Sequence, residues 1–385
     1  MRKKTDQNRN TLVFLWDNFG PSHMDRVEAV RRHLSHRFKV IGIELFPKST
    51  TYAWSTGLSE AFEKRTVFGD AVPRLLIYRV ARILAHMPPP RETCFFLCHY
   101  EKPAIFFLAL VLRARGGRVI TMNNSKFDDK PRYVWQEVGK SFFVLPYQGA
   151  LSTGLRSKRY WRFLGLKART VHGECNTVSL DRIRRQADVP PAPDGPAFRD
   201  RHFTAIARLV PKKNLSVLLS AYALYQQTAD TPRPLQLCGS GPEEAPLRQQ
   251  AEDLGITANI VFRGWLHDEA ISRTLGQTLV LLLPSVQEQF GNVVIEAQAM
   301  GLPVILSNNC GACDLLVRSG VNGFVIEPDN PRGLEYFMRL LSEDEELWQR
   351  MSEEAAASAP RGDVQRFVEG VEALSLGITP RSKLD

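Results

Sequence analysis

The chain has 385 residues, 44% of them hydrophobic and 24% charged, a length that suits two cores and a composition ordinary for a globular protein. Its apolar run AIFFLALVL at 104–112 falls well short of the ~20 residues that cross a bilayer, and the basic start MRKKTDQNRN leads only into a strand-length TLVFLW, so neither a spanning segment nor a signal peptide is predicted. The net charge of +9 is unevenly spread: residues 1–190 carry 33 Lys and Arg against 16 Asp and Glu, a net of +17, and residues 191–385 carry 17 against 25, a net of −8.

In chain order, TLVFLW (11–16), FKVIGIEL (38–45), CFFLCHY (94–100), RVITMNN (118–124), SFFVLPY (141–147) and TVHGE (170–174) read as strands. Helix-length segments fill the intervals, among them HMDRVEAVRRHL (23–34) and AVPRLLIYRVARILAHM (71–87). The stretch DVPPAPDGPAFRD (188–200) is rich in Pro and Asp, propagates neither helix nor central strand, and reads as a hinge. Beyond it the alternation is regular: FTAIARL (203–209), PLQLCGSG (234–241), NIVFRG (259–264), LVLLLPS (279–285), PVILSN (303–308) and GFVIEP (323–328) are strands, separated by helices such as NLSVLLSAYALYQQ (214–227). Several of these strands are apolar without alternation, as strands covered on both faces must be. Residues 344–377 read as a helical tail. The chain is thus α/β, two doubly wound Rossmann-like domains with a cleft between their carboxyl edges. The expected division is 1–190, a linker at 191–200, 201–343, and a tail at 344–385 that crosses back to the first domain.

Ligands of such sheets bind in the loops after the strands. In SVQEQFGNVVIEAQAMGLPVILSNN (285–309), NVVIEAQAM is a helix that Gly301 caps and Pro303 ends. Phe290, Gly291 and Asn292 form the turn at its start, where bare amides and a glycine make a phosphate site. Glu288 lies just ahead of that helix and Glu296 just over one turn inside it, and two acceptors beside a phosphate site suit the hydroxyls of a ribose or a sugar. In ARLVPKKN, Arg208 ends a strand and Lys212 and Lys213 follow it, placing cations at the same edge, unless they form only a solvated basic loop. LCGSGPEEAPL (237–247) is a glycine turn without the dinucleotide spacing. WDNFGPSHMDRVEA (16–29) sets Gly20, Ser22 and His23 between strand and helix in the first half, a helix start expected to face the phosphate site of the other half. Cys310 and Cys313 in CGAC have redox spacing, but they lie inside a repeating strand–helix array and no second Cys pair has zinc spacing, so an ordinary loop of reduced thiols is expected.

In this order ARLVPKKN, LCGSGPEE, VFRGWL, EQFGNVVIEAQAMGLPVI and GVNGFVIEP resemble the retaining nucleotide-sugar glycosyltransferases of family 4, also called group 1, which have the GT-B fold. The resemblance covers residues 201–330, and NFGPSHMDRVEA and GECNTVSLDRI match more loosely. It implies a hexosyltransferase whose Glu288 contacts the transferred sugar and whose Glu296 contacts the ribose of the donor. Arg208 and Lys213 would hold the diphosphate, helped by the amides of Gly291, Asn292 and Val293 beside Phe290. Gly239, Gly241, Gly264, Trp265 and Leu266 would lie near the base, and Gly20 would be among the donor-binding residues. It implies no metal and no cofactor, the nucleotide sugar being the donor substrate. Two departures stand out: Cys313 and Asp314 occupy the place of a Pro-Glu pair, and Asn123 and Asn124 stand where many members carry a catalytic-site histidine. His99 and His23 are the remaining candidates to face the reacting carbon. The basic half suggests a lipid-linked or phosphorylated acceptor, with GLRSKRYWRFLGLKAR (154–169) as a contact for an anionic membrane unless Trp161 packs inward. The expected location is cytoplasmic, peripheral to a membrane. The competing readings are a nucleotide-sugar 2-epimerase of the same fold and, on charge alone, a nucleic-acid binder, which no sequence motif supports.

Overall fold

The computed structural model describes residues 10–48, 61–69, 72–129 and 132–377, so the basic residues 1–9 and the last eight residues of the tail lie outside the described set. Contacts divide the chain into two compact units, residues 1–177 with 364–385, and residues 178–363. The first unit runs β1 (Thr11–Trp16), α1 (Pro21–Leu34), β2 (Lys39–Glu44), β3 (Glu63–Thr66), α2 (Leu76–Ala85), β4 (Thr93–Cys98), α3 (Pro103–Ala114), β5 (Arg118–Met122), α4 (Val134–Val144), β6 (Gly149–Leu151), α5 (Gly154–Phe163) and β7 (Val171–His172). The second runs α6 (Leu180–Ala187), β8 (His202–Ile206), α7 (Leu215–Thr228), β9 (Leu235–Cys238), α8 (Glu244–Asp253), β10 (Ile260–Gly264), α9 (Asp268–Gly276), β11 (Thr278–Leu283), α10 (Asn292–Ala299), β12 (Val304–Ser307), α11 (Cys313–Leu316), β13 (Gly323–Ile326), α12 (Pro331–Glu343) and α13 (Glu345–Ser358). The last helix, α14 (Val364–Leu376), belongs to the first unit.

Both sheets are parallel, as the unbroken apolar strands require. The orders are β3-β2-β1-β4-β5-β6-β7 and β10-β9-β8-β11-β12-β13. In each, successive strands are laid outward in one direction and then in the other, so the direction reverses between β1 and β4 and between β8 and β11. Chain connections part at such a reversal and leave a crevice at the carboxyl ends of the strands. Alternate residues of β1 enter opposite cores: Val13 and Leu15 pack with α2, α3, α4 and α5, while Leu12, Phe14 and Trp16 pack with α1 and α14. In the second unit a single continuous core joins both faces of the sheet.

Three expectations need correction. SFFVLPY is no strand. Residues 141–144 complete α4, burying Val144 while Phe142 faces out, a helical division of apolar residues in place of a period of two. β3, with sequence EKRT, was invisible to a hydrophobic pattern because it is an edge strand with polar side chains and one neighbour.

The Pro-rich stretch at 188–200 is not a free hinge. Its Ala192 is buried and donates its N–H to the Met300 carbonyl at 2.9 Å. Arg201, fully buried against the Trp348 ring, donates to the carbonyls of Asp194 (3.0 Å), Pro196 (3.0 Å) and Thr278 (2.9 Å). Backbone carbonyls that a Pro-rich chain cannot pair in a ladder are satisfied here by one guanidinium. Burial, then the charge of Arg233, lowers its pKa to about 10, so it stays charged at neutral pH. The break between units falls instead at 177/178, because α6 packs on α9 and α10. Replacing Arg201 by Ala strands these carbonyls. It should lower unfolding stability by about 3 kcal/mol and open residues 190–200 to limited proteolysis, both measurable on the purified variant.

Candidate functional site

At the carboxyl edge of the second sheet, hydrogen bonds tie the loops after four neighbouring strands into one rim. After β10 and β9, Gly239 donates its N–H to the Gly264 carbonyl at 2.8 Å. After β9 and β8, Ala207 donates to Cys238 and Leu209 to Ser240, at 3.0 and 2.9 Å. After β8 and β11, Val286 donates to the Lys212 carbonyl at 3.0 Å. A Cβ on Gly241 would come within 2.2 Å of the Leu209 carbonyl oxygen, and one on Gly239 within 1.9 Å of that of Ala207. The glycines of GSG are therefore demanded by the approach of two backbones, whatever ligand the rim holds.

The loop after β8 carries the cations. Arg208 is half-buried directly beyond the strand, and Lys213 ends a short 3-10 turn. The Lys213 ammonium is ion-paired with Oε2 of Glu288, with only 12% and 16% of the two side chains exposed. Asn214, in a left-handed conformation at φ 58°, fixes this loop by donating its side-chain amide to the carbonyls of Pro284 (3.1 Å) and Pro328 (2.6 Å). Asn214 was not foreseen as a site residue, although an Asn directly after a basic turn is a known signal for that conformation.

Beyond β11 the chain reaches α10 through Gly291, at φ 97°. A side chain there would be strained, and its Cβ would meet Cys310 Sγ and Leu283 Cδ2 at 3.1 Å. Phe290 is buried, so its side chain serves the core and only its backbone belongs to the rim. Asn292 and Val293 open the helix half-buried, the Oδ1 atom of Asn292 is buried without a hydrogen-bond partner, and Glu296 lies half-buried one turn on. The CGAC segment lies along this turn. Ala312 donates its N–H, and Cys310 its thiol, to the Phe290 carbonyl, at 2.9 and 2.8 Å. Burial pushes the Cys310 thiol well up, and both it and Cys313 are buried free thiols. Trp265 and Leu266 follow β10 half-buried, and the Trp265 indole N–H is buried without a partner. The second-half residues expected to bind a donor thus follow the neighbouring strands β8, β9, β10 and β11 or lie on α10, at one edge of the sheet. A separate hollow of about 530 Å³ between α6 and α9, lined by Arg182, Arg185 and Arg273 among others, contains none of them. Among the described residues no group of three His, Cys, Asp or Glu side chains is placed to hold a metal ion.

The residues expected in the first unit also share a sheet edge. His99 follows β4 at φ 61°, with Nε2 at 3.3 Å from Asp17 Oδ2 and Nδ1 at 3.5 Å from Glu101 Oε1. Asp17 follows β1, also pairs with Lys102, and was missed; its signal is a carboxylate directly beyond a buried strand. Gly20 and His23 satisfy each other: the Gly20 N–H donates to His23 Nδ1 at 3.0 Å, which leaves the proton on Nε2. The preceding Phe19 N–H is taken by Glu44. The amides of Phe19 and Gly20, just ahead of α1, are therefore already paired. His23 also stacks on Trp16, with centroids 4.7 Å apart. Burial, then the charges of Arg26 and His99, holds its pKa well below 6.5. Asn124 Oδ1 accepts from the Thr153 hydroxyl at 2.6 Å. Trp161 packs inward against Tyr100, so it is unavailable to the membrane contact proposed for 154–169, whereas Phe163 is exposed.

Comparison with known proteins places this geometry in context. Residues 195–358 match the family model of Glycosyl transferases group 1. A D-inositol 3-phosphate glycosyltransferase of Corynebacterium glutamicum is 30% identical over 189 residues, covering 48% of this chain and 43% of that relative. A lipopolysaccharide core biosynthesis glycosyltransferase of Rhizobium meliloti is 28% identical over 181 residues, covering 47% and 48%. The matched stretches thus span less than half the length of these two relatives. The fold extends further. The Anabaena protein HepE, solved with UDP and glucose, superposes with a TM-score of 0.71 at 17% identity, covering 95% of this chain and all of that one. The lipopolysaccharide outer core galactosyltransferase WaaB gives 0.68 at 15% identity, covering 95% and 99%. Both are GT-B glycosyltransferase structures, and this chain has that architecture.

The neutral state of His23 has a consequence for acid stability. Its folded pKa lies below the unfolded one, so its contribution is complete above about pH 6.5 and is lost as pH falls towards the folded value. His172 and His202, each lowered to about 4 by burial, add to the same loss. His23→Asn keeps an acceptor for the Gly20 amide but removes one proton. It should flatten the fall in stability by about 1.4 kcal/mol per pH unit between roughly pH 6 and 5, read by denaturant titration.

Proposed function

We propose that the chain, whose residues 195–358 match the family model of Glycosyl transferases group 1, is a retaining hexosyltransferase that moves a sugar from a nucleoside diphosphate to an acceptor hydroxyl. The observation that carries this reading is the single rim at the β8–β11 reversal, where Arg208, the Lys213–Glu288 pair and the start of α10 meet. In the proposed complex Arg208, Lys213 and the amides from Gly291 to Val293 hold the diphosphate. Glu296 accepts from the ribose, Glu288 accepts from hydroxyls of the sugar, and Trp265 and Leu266 border the base. That relatives of this fold were solved with UDP and UDP-glucose supports a uridine donor among the candidates.

The chemistry breaks the bond between the anomeric carbon and the diphosphate oxygen and forms one from that carbon to the acceptor oxygen on the same face. The acceptor's proton passes to the departing diphosphate. Negative charge then grows on the leaving oxygens, and cations held in place before the reaction stabilise it most strongly. Arg208 and Lys213 supply that charge, so the reaction is proposed to need no metal ion. The acceptor is assigned to the basic first unit, beside His99, and its charge suits a phosphorylated or lipid-linked molecule at the cytoplasmic face of a membrane.

Lys213→Ala and Glu288→Gln should each lower kcat by about 10²- to 10³-fold in a donor-panel transfer assay, with little change in fold by circular dichroism. Activity should survive EDTA. Wild-type turnover in both variants would overturn the assignment. Sugar interconversion without an acceptor would show an epimerase instead.

A further inference from the structure

We propose that the outer face of the α2–α5 layer of the first unit docks on an anionic lipid bilayer. The helix α4 is inside out. Its Glu137 is 4% exposed, while Val134, Trp135 and Phe142 are 82%, 72% and 61% exposed. Val134, Val138, Phe142 and Leu145 recur at helical spacing along one stripe, with Trp135 beside it. The buried side holds this orientation. Glu137 accepts from the Tyr160 hydroxyl at 2.5 Å and from Lys140 at 2.7 Å, and pairs with Arg132 at 3.3 Å. Rolling the stripe inward would break that network, so the fold keeps the aromatic face in water.

The apolar surface is concentrated. Among the described residues 16 large hydrophobic side chains of the first unit are exposed against four of the second, and all 16 lie between residues 72 and 163, on or beside α2–α5. None is on α1 or α14, which cover the other face of the same sheet. Phe106 packs against Phe143 at 4.9 Å and joins α3 to α4. The α4 stripe alone exposes on the order of 500 Å² of apolar side chain, as large as the biggest patch of a typical soluble monomer.

Charge selects the occupant. The helices α2, α3, α4 and α5 contain eight Lys and Arg and a single carboxylate, the buried Glu137. Arg82, Arg113, Arg159 and Arg162 are exposed on this layer. A second copy of the chain would set these cations against themselves, whereas anionic headgroups neutralise them while acyl chains receive Trp135 and Phe142. No helix among the described residues is long and apolar enough to cross a membrane, so the contact is one of a surface lying in the interface.

The test is flotation of the full chain with phosphatidylcholine vesicles, with and without phosphatidylglycerol, at low and high salt. The wild type should float only with phosphatidylglycerol and be released by salt. Trp135→Glu/Phe142→Glu and, separately, Arg159→Ala/Arg162→Ala should each weaken partitioning by about tenfold or more. The second pair preserves the apolar stripe and keeps the test valid should the first pair unfold. Absence of flotation, or equal flotation of wild type and both variants, overturns the proposal. So does self-association without vesicle binding that Trp135→Glu/Phe142→Glu abolishes, which would assign the face to a second copy. The donor site is not involved, so these outcomes are independent of the proposed transfer reaction.

Discussion

The ion pair between Lys213 and Glu288 joins the loop after β8 to the loop after β11, across the reversal of the second sheet. Both side chains are largely withdrawn from water, where either charge alone would be costly and the pair is sustained by mutual attraction. The backbone around them is fixed as well, by the Lys212 carbonyl that receives Val286 and by the Asn214 amide that bridges Pro284 and Pro328. The cation is thereby held at this edge before any negative charge arrives. In the proposed reaction the diphosphate draws the ammonium towards itself, and the released Glu288 turns to the sugar hydroxyls.

The same edge explains why the two units differ in chemistry although their sheets are wound alike. In the first unit the amides of Phe19 and Gly20, just ahead of α1, are spent on Glu44 and His23, and the residues beyond β1 and β4 form an ion cluster around Asp17. In the second the corresponding turn leads through Gly291 into α10, with Asn292 Oδ1 buried and unpaired. In the proposed reaction, anion binding falls to the unit whose half of the sequence is net acidic, and locally placed cations outweigh the overall charge. Of the basic excess of residues 1–190, the helices α2–α5, which face away from the β1–α1 side, carry eight Lys and Arg against one carboxylate, and these belong to the surface proposed to meet a bilayer.

Much of this was legible in the sequence, for identifiable reasons. Strands such as TLVFLW and LVLLLPS are buried on both faces and carry an unbroken apolar signal; EKRT, at an edge, carries none. The cations and carboxylates of the proposed donor rim were visible because they stand at strand ends or on the helix that follows, in a fold whose ligands bind there. What the sequence could not reveal was pairing. The mutual capping of Gly20 and His23, the bridging by Asn214, and the use of GSG for backbone packing all depend on which loops become neighbours. The inverted α4 was obscured for a related reason. Only the fold sets Tyr160, Lys140 and Arg132 around its Glu137.

The central claim is that the β8–β11 rim binds a nucleoside diphosphate sugar, and ligand-induced thermal stabilisation tests it most directly. The wild type and Glu296→Ala would be melted with UDP-, GDP-, ADP- and dTDP-sugars in turn. The account predicts that one nucleotide series stabilises the wild type, by about 2.7 kcal/mol at a hundred times its Kd, and that Glu296→Ala loses most of that gain. Equal stabilisation of both proteins, or none by any nucleotide, would contradict it.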